Sequence, residues 1–325
     1  MLEKVVTRRN LSFEEAREAF LELFNENEIR VAAFLSAVET KGVTSEELAG
    51  FASAMRELST RINLGDVCDT CGTGGDRAGT INVSTASAIL LSCFEKVAKH
   101  GNSSVTSKSG SADVLKELGM RVELDADEAK MMIERSGFTF LFAPKYHAKL
   151  RKIMPVRKAL GIKTVFNILG PLCNPASPSR QLIGVSSEEL VDKVSEAVQM
   201  LGVRRAVIVH GYPLDEVNPR GKTLVSEVDG GIEKYLVSPE DFGLRESKFI
   251  PCSSSQESAA RVRAALSGRG LEEDLNFILI NSAMALFSAE GRDLTECAEI
   301  MRECIESGRA IRKLEEIVCA SRNLS

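Results

Sequence analysis

What most constrains the fold of this chain is a change of texture near Asn63-Leu64-Gly65. Before it, the sequence carries helix signals only. Ser12 with Glu15, and Thr44 with Glu47, have the N-cap to N3 spacing of a capping box. Between them, apolar residues recur at helical spacing in EAFLELF and IRVAAFLSAVE. From Val67 onward, short β-type runs alternate with helical ones. VCDT, KVAKHG, RVEL, FTFLFAP, QLIGVS and RAVIVHG read as strands, with TASAILLSCF, SADVLKELG and EELVDKVSEAVQML as helices among them. TLVSEV and IEKYLV, either side of a Gly-Gly, read as a hairpin. From about residue 254 the pattern is helical again. Strand–helix alternation builds a mostly parallel sheet covered by helices. The expected fold is α/β: a small all-helical domain plus a large α/β domain with a mostly parallel central sheet flanked by helices.

With 325 residues, 44% hydrophobic and 27% charged, the chain is long and apolar enough to bury a sizeable core. The net charge of −5 gives no bulk attraction to nucleic acid or an anionic membrane, so an anionic ligand needs a local positive site. MLEKVVTRRN does not read as a secretion signal, and the longest apolar runs are too short to span a bilayer. A cytoplasmic location is expected. Eight cysteines, mostly inside apolar segments, read as reduced buried thiols.

In parallel sheets, ligands bind beyond the carboxyl ends of the strands. Three polar segments follow candidate strands: the glycine loop after Cys71, Lys99-His100-Gly101-Asn102, and Asp215-Glu216. The stretch CDTCGTGGD at 68–76 invites two readings. Cys68-x-x-Cys71 has the spacing of a metal clip or redox dithiol, but no second CxxC exists and only three histidines are present. Two small buried residues at a strand end is the favoured reading. Gly72-Thr73-Gly74-Gly75-Asp76 is neither a P-loop nor G-x-G-x-x-G, since Arg77 stands where the last glycine would be. What raises it above a plain turn is Thr80-Ile81-Asn82-Val83-Ser84-Thr85, polar groups placed where a helix begins and its unpaired N–H groups suit phosphate.

A second glycine turn repeats the design, with Lys99, Gly101, Asn102 and Lys108 among hydroxyl residues; its bland alternative is a polar loop with Ser111 capping a helix. Asp215-Glu216 suits Mg²⁺, which takes one or two carboxylates together with phosphate oxygens and water. Amides, hydroxyls and lysines on one side and a metal on the other fit a pyrophosphate-like group. Arg157 lies in a basic helical stretch that is mostly an exposed face, yet one arginine there could clamp a carboxylate. Of His100, His147 and His210, His100 is the best placed for ligand contact.

GTGGD at 72–76, NVST at 82–85, KHGN at 99–102, SKSGSADVL at 107–115, VRKALGIKTVFNILGPLCNP at 156–175 and LDE at 214–216 together resemble the anthranilate phosphoribosyltransferase family. That family belongs to the class sharing the fold of pyrimidine nucleoside phosphorylases. The resemblance implies transfer of phosphoribose from phosphoribosyl pyrophosphate to the amino group of anthranilate, with release of pyrophosphate. It implies a small helical domain at 1–65, joined by 150–172, and a large domain at 66–149 and 173–325. It also implies homodimerisation through the small domain, with no nucleic-acid or membrane partner.

By resemblance, Gly72, Gly74, Gly75, Asp76, Thr80, Asn82, Val83, Ser84 and Thr85 hold phosphoribosyl pyrophosphate. So do Lys99, His100, Gly101, Asn102, Ser103, Ser107 and Ser111. Ser84, Asp215 and Glu216 bind Mg²⁺, expected as two ions, while Gly72, His100, Asn102, His147 and Arg157 meet anthranilate. Two departures stand out. Ser103 replaces the arginine common after KHGN, and His147-Ala148-Lys149 replaces a His-Pro. The rivals are a related phosphoribosyltransferase acting on another aromatic amine, a nucleoside phosphorylase, whose KHSxGGxGD loop this chain leaves after two residues, a silent nucleic-acid-binding relative, and a zinc or redox protein.

Overall fold

The computed structural model of this chain describes residues 1–75, 78–103 and 109–324. Seven strands form one sheet: β1 (Cys68–Gly72), β2 (Val97–Gly101), β3 (Phe138–Phe142), β4 (Arg180–Gly184), β5 (Arg205–His210), β6 (Thr223–Val228) and β7 (Ile232–Val237). Their order is β3-β2-β1-β4-β5-β6-β7, with the first five parallel and the β6–β7 hairpin antiparallel at one edge. The expected α/β class and hairpin are both present.

The pleat assigns side chains to the two faces of this sheet. On β5, Val207 and Val209 join one apolar cluster while Ala206 and Ile208 join the other, as a period of two requires. The helix Glu272–Glu290 covers the first face, packing on the helix Val83–Leu91 and on β4 and β5. The helix Glu188–Met200 covers the second and meets the helix Ser45–Leu58 of the N-terminal helical unit. Ile153, Val156, Phe166 and Leu169 lie in the same cluster as the N-terminal helices.

RVEL at 121–124 is not a strand. Val122 and Leu124 are buried and alternate with exposed neighbours, which produces the strand signal. No ladder forms there: the Arg121 N–H bonds the Ser321 hydroxyl, and Asp125 caps the helix Ala126–Ser136. Alternating burial needs a neighbouring strand before it becomes a β-strand.

Both expected capping boxes form, at Ser12/Glu15 and Thr44/Glu47. Glu47 does more than cap. Its fully buried carboxylate also accepts from the Leu11 N–H (2.9 Å) and pairs with Lys41 at 2.7 Å, itself 3% exposed. One carboxylate thus ties three segments of the helical unit. Breaking one side of a buried pair leaves the other charge uncompensated, so Glu47→Gln should cost roughly 3 kcal/mol in urea unfolding.

Candidate active site

The carboxyl ends of β1, β2, β4 and β5 open onto a cleft of about 660 Å³. Two glycines set its floor. A Cβ on Gly184 would lie 1.6 Å from the Asp215 carbonyl oxygen, and one on Gly72 would lie 2.6 Å from Asp215 Oδ2. The Asp215-Glu216 loop therefore lies directly over the ends of β1 and β4, where side chains at those two positions would collide with it. The Gly74 N–H donates to Asp215 Oδ2 at 2.6 Å, so the carboxylate is fixed against the glycine loop. Thr73 ties that loop to β4, its N–H bonding the Gly184 carbonyl (2.9 Å) and its Oγ1 accepting from the Ser186 N–H (3.2 Å).

On the β2 side, Lys99 is 2% exposed. Its ammonium donates to Ser84 Oγ at 2.8 Å and to the Thr70 carbonyl. Burial lowers its pKa below the ordinary value, only partly opposed by Asp69 and Glu216. Asn82 caps the helix Val83–Leu91 through the Thr85 N–H (3.1 Å), which turns the start of that helix toward the cleft.

Of the residues expected in the site, Gly72, Gly74, Gly75, Thr80, Asn82 and Ser84 line the cleft from the β1 side. Lys99, His100, Gly101, Asn102, Ser103 and Ser111 line it from the β2 side, and Asp215 and Glu216 from the loop after β5. Asp76 and Ser107, like Lys108, lie outside the described residues. Val83 and Thr85 are buried behind the helix start and do not reach the cleft wall. Gly110, not Ser111, is the N-cap of the helix Ser111–Glu117; Ser111 Oγ donates to the Asn102 carbonyl (3.3 Å).

Arg157 does not line the cleft either. Its guanidinium sits 4.8 Å over the Phe166 ring, and partial burial lowers its pKa. His147 lies one layer back, its ring 5.1 Å from that of His100. Sequence reasoning missed Lys163, Asn167, Ser186, Ser187 and Lys193 on the opposite wall. Ser186 and Ser187 follow β4, so the rule used for the other strand ends would have found them. Lys163 is concealed in a basic run that reads as solvated surface.

The pleat settles the CxxC. Cys68 and Cys71 are three apart on one strand, so their thiols fall in opposite apolar layers and cannot grip one ion. Among the described residues, no cluster of three or more His, Cys, Asp or Glu is placed to hold a metal. Burial pushes the Cys68 thiol up to about 12 and Cys71 well above its ordinary value.

His100 and His147 are both buried, and burial drives their pKa values down to about 3 and about 4. His100 Nδ1 lies 3.3 Å from the Gly170 carbonyl, an acceptor, so Nδ1 carries the proton. Nε2 of each ring is buried without a partner. The fold holds both rings neutral, whereas the unfolded chain protonates them near 6.5. The unfolded state therefore binds more protons once pH falls below about 6.5, and the stability from this pair is lost as pH drops through about 4. The melting temperature should fall over that window, with a flatter profile for His147→Gln.

Two family profiles match the chain: the helical bundle domain of the glycosyl transferase family over residues 1–59, and its a/b domain over residues 64–311. The anthranilate phosphoribosyltransferase of Pyrococcus abyssi is 55% identical, covering 99% of this chain and 100% of the relative. That of Pyrococcus furiosus is 56% identical with the same coverage. The crystal structure of the Thermus thermophilus enzyme superposes with a TM-score of 0.93 at 34% identity, covering 99% of both chains. The Saccharomyces cerevisiae enzyme in complex with phosphoribosyl pyrophosphate and Mg gives 0.91 at 30% identity, over 99% of this chain and 96% of that one. With both domains matched, near full-length identity above one half, and a cleft built at the same sheet edge as the motifs, the chain belongs to the anthranilate phosphoribosyltransferase family.

Proposed function

We propose that this chain transfers the phosphoribosyl group of phosphoribosyl pyrophosphate to the amino group of anthranilate, releasing pyrophosphate. The observation that carries the reading is the convergence of the glycine loop, the Lys99–Ser103 segment and Asp215-Glu216 on one cleft. Breaking the bond at the sugar's anomeric carbon leaves an oxocarbenium-like sugar and a highly charged leaving group. Preorganised donors answer that demand because they need no reorganisation during reaction. Gly72, Gly74, Gly75, Thr80, Asn82 and Ser84 cradle the donor from one side. Lys99, Gly101, Asn102, Ser103 and Ser111 hold it from the other, with Lys99 supplying a buried N–H donor.

The donor set suits Mg²⁺. Asp215, Glu216 and Ser84 present oxygen atoms only, and two carboxylates leave room for phosphate oxygens and water. Ser84 Oγ accepts from Lys99 and donates to the Thr70 carbonyl (3.2 Å), which leaves one lone pair for a cation. These three residues would hold Mg²⁺, proposed as two ions, which would supply positive charge beside the pyrophosphate.

His100 offers a neutral ring at the cleft wall, suited to orient the attacking amine rather than to act as a strong base. Arg157 and His147 would approach anthranilate through Phe166 and His100 respectively. The segment 150–172 is proposed to belong with the helices of 1–65, in whose apolar cluster its buried residues lie. Homodimerisation through that unit is supported by Val6 and Ile29, which are 59% and 82% exposed. A cytoplasmic location is supported by eight free thiols, which a reducing compartment maintains.

The reading is tested with purified protein, phosphoribosyl pyrophosphate, Mg²⁺ and anthranilate, following loss of anthranilate fluorescence. Turnover is expected, and its absence with turnover of another amine or a nucleoside would overturn the assignment. Asp215→Ala with Glu216→Ala should reduce kcat/KM by about a thousandfold or more with the circular dichroism spectrum retained. Unchanged activity would refute the metal assignment.

A further inference from the structure

β1 is paired unequally with its two neighbours. Against β4 the ladder runs from Cys68–Arg180 through to Gly72–Gly184. Against β2, among the described residues, it registers at Cys68–Val97 and goes no further. Beyond that point two backbone groups of β2 are satisfied by side chains instead. The His100 N–H donates to Asp69 Oδ1 (3.3 Å), and the Ala98 carbonyl accepts from Asn174 Nδ2 (2.8 Å).

The two side chains are also bonded to each other, Asn174 Nδ2 to Asp69 Oδ2 at 2.8 Å. Asn174 Oδ1 accepts from the Ala176 N–H at 2.9 Å, which fixes the amide's orientation. Both residues are buried, at 1% and 0% exposure. The Cys71 thiol, two residues along β1, lies on the same face as Asp69. A buried carboxylate is costly unless its lone pairs are met, and here the His100 N–H and the Asn174 amide converge on it. The pair fills the place where two strands would otherwise zip together.

The gap lies just below the two segments that face each other across the cleft, Gly72–Gly75 and Lys99–Ser103. We propose that Asp69 and Asn174 are positioning residues: a buried side-chain wedge that sets the separation of those segments and so the geometry in which the phosphoribosyl donor is bound. The proposal rests on the phosphoribosyl-transfer reading above.

Asp69→Asn preserves volume but turns an NH₂ group toward the Asn174 amide, so two donors meet. The folded variant should show a donor KM raised about tenfold or more, with kcat at saturating donor within about threefold of wild type. Leu314→Ala, in the core of the helix Arg309–Arg322 and away from the cleft, serves as the control. It should lower the melting temperature without moving either constant. Should Asp69→Asn fail to fold, Asn174→Ala removes the amide alone and carries the same expectation. A loss of melting temperature with donor KM unchanged in the folded variants would overturn the proposal. Calorimetry with pyrophosphate and Mg²⁺ separates the two failures. If the wild-type protein does not turn over anthranilate, the functional reading fails, and the wedge stands or falls on whether pyrophosphate binds more weakly to the variant.

Discussion

The close approach of the Asp215-Glu216 loop to the ends of β1 and β4 is the contact on which the rest of the cleft depends. It needs a hydrogen atom where any other residue has a Cβ, at Gly72 and Gly184. Given that, the carboxylate of Asp215 reaches the Gly74 N–H, and the glycine loop is held over the sheet rather than free in solvent. Two acidic residues and a backbone-rich loop end up side by side because nothing larger than hydrogen lies between them. An oxygen-lined pocket facing a lysine-bearing segment is then a consequence of strand order, since β2, β1, β4 and β5 deliver their loops to the same edge.

Electrostatics in this cleft runs against the charge of the whole molecule. The chain carries −5 overall, yet the ligand proposed for it is strongly anionic. The cleft answers with few full charges. Among the described residues, Lys99 is buried at the cleft wall, its pKa lowered by desolvation against the opposing pull of Asp69 and Glu216. The remaining attraction comes from backbone N–H groups, hydroxyls and the start of the helix Val83–Leu91, partial charges whose desolvation was met during folding. Lys163 and Lys193 stand on the far wall, where Lys193 is already paired with Glu189 at 2.5 Å.

The architecture is legible in the sequence because its signals are local. Ser12/Glu15 and Thr44/Glu47 depend on residues three apart, and β5 shows its two-sided burial in its own apolar run. RVEL misleads because a strand is a relation between segments, and Val122 and Leu124 alternate without a neighbour to pair with. The donor cradle is legible for a related reason: each part follows a strand within a few residues. Arg157 and His147 are harder, because whether they reach the ligand depends on how Phe166 and His100 intervene. Asn174 reads as part of a rigid turn and Asp69 merely as the second letter of CDTC. Their partnership spans 105 positions and leaves no periodic trace.

The two histidines bear on what kind of catalyst this cleft can be. A general base works best with a pKa near the working pH, and burial has moved both rings far below it. The neighbouring His147 and Lys99 push His100 the same way. Near neutral pH the rings are therefore hydrogen-bonding surfaces, with the Gly170 carbonyl fixing which nitrogen of His100 bears the proton. That arrangement suits an aromatic amine, whose nitrogen is already unprotonated and gains little from a strong base before attack. What such a nucleophile needs is a fixed direction, and the neutral His100 ring, which lines the cleft, can help to set one. Rate enhancement would then come from placement of the amine and from charge stabilisation on the leaving side, with proton loss following bond formation.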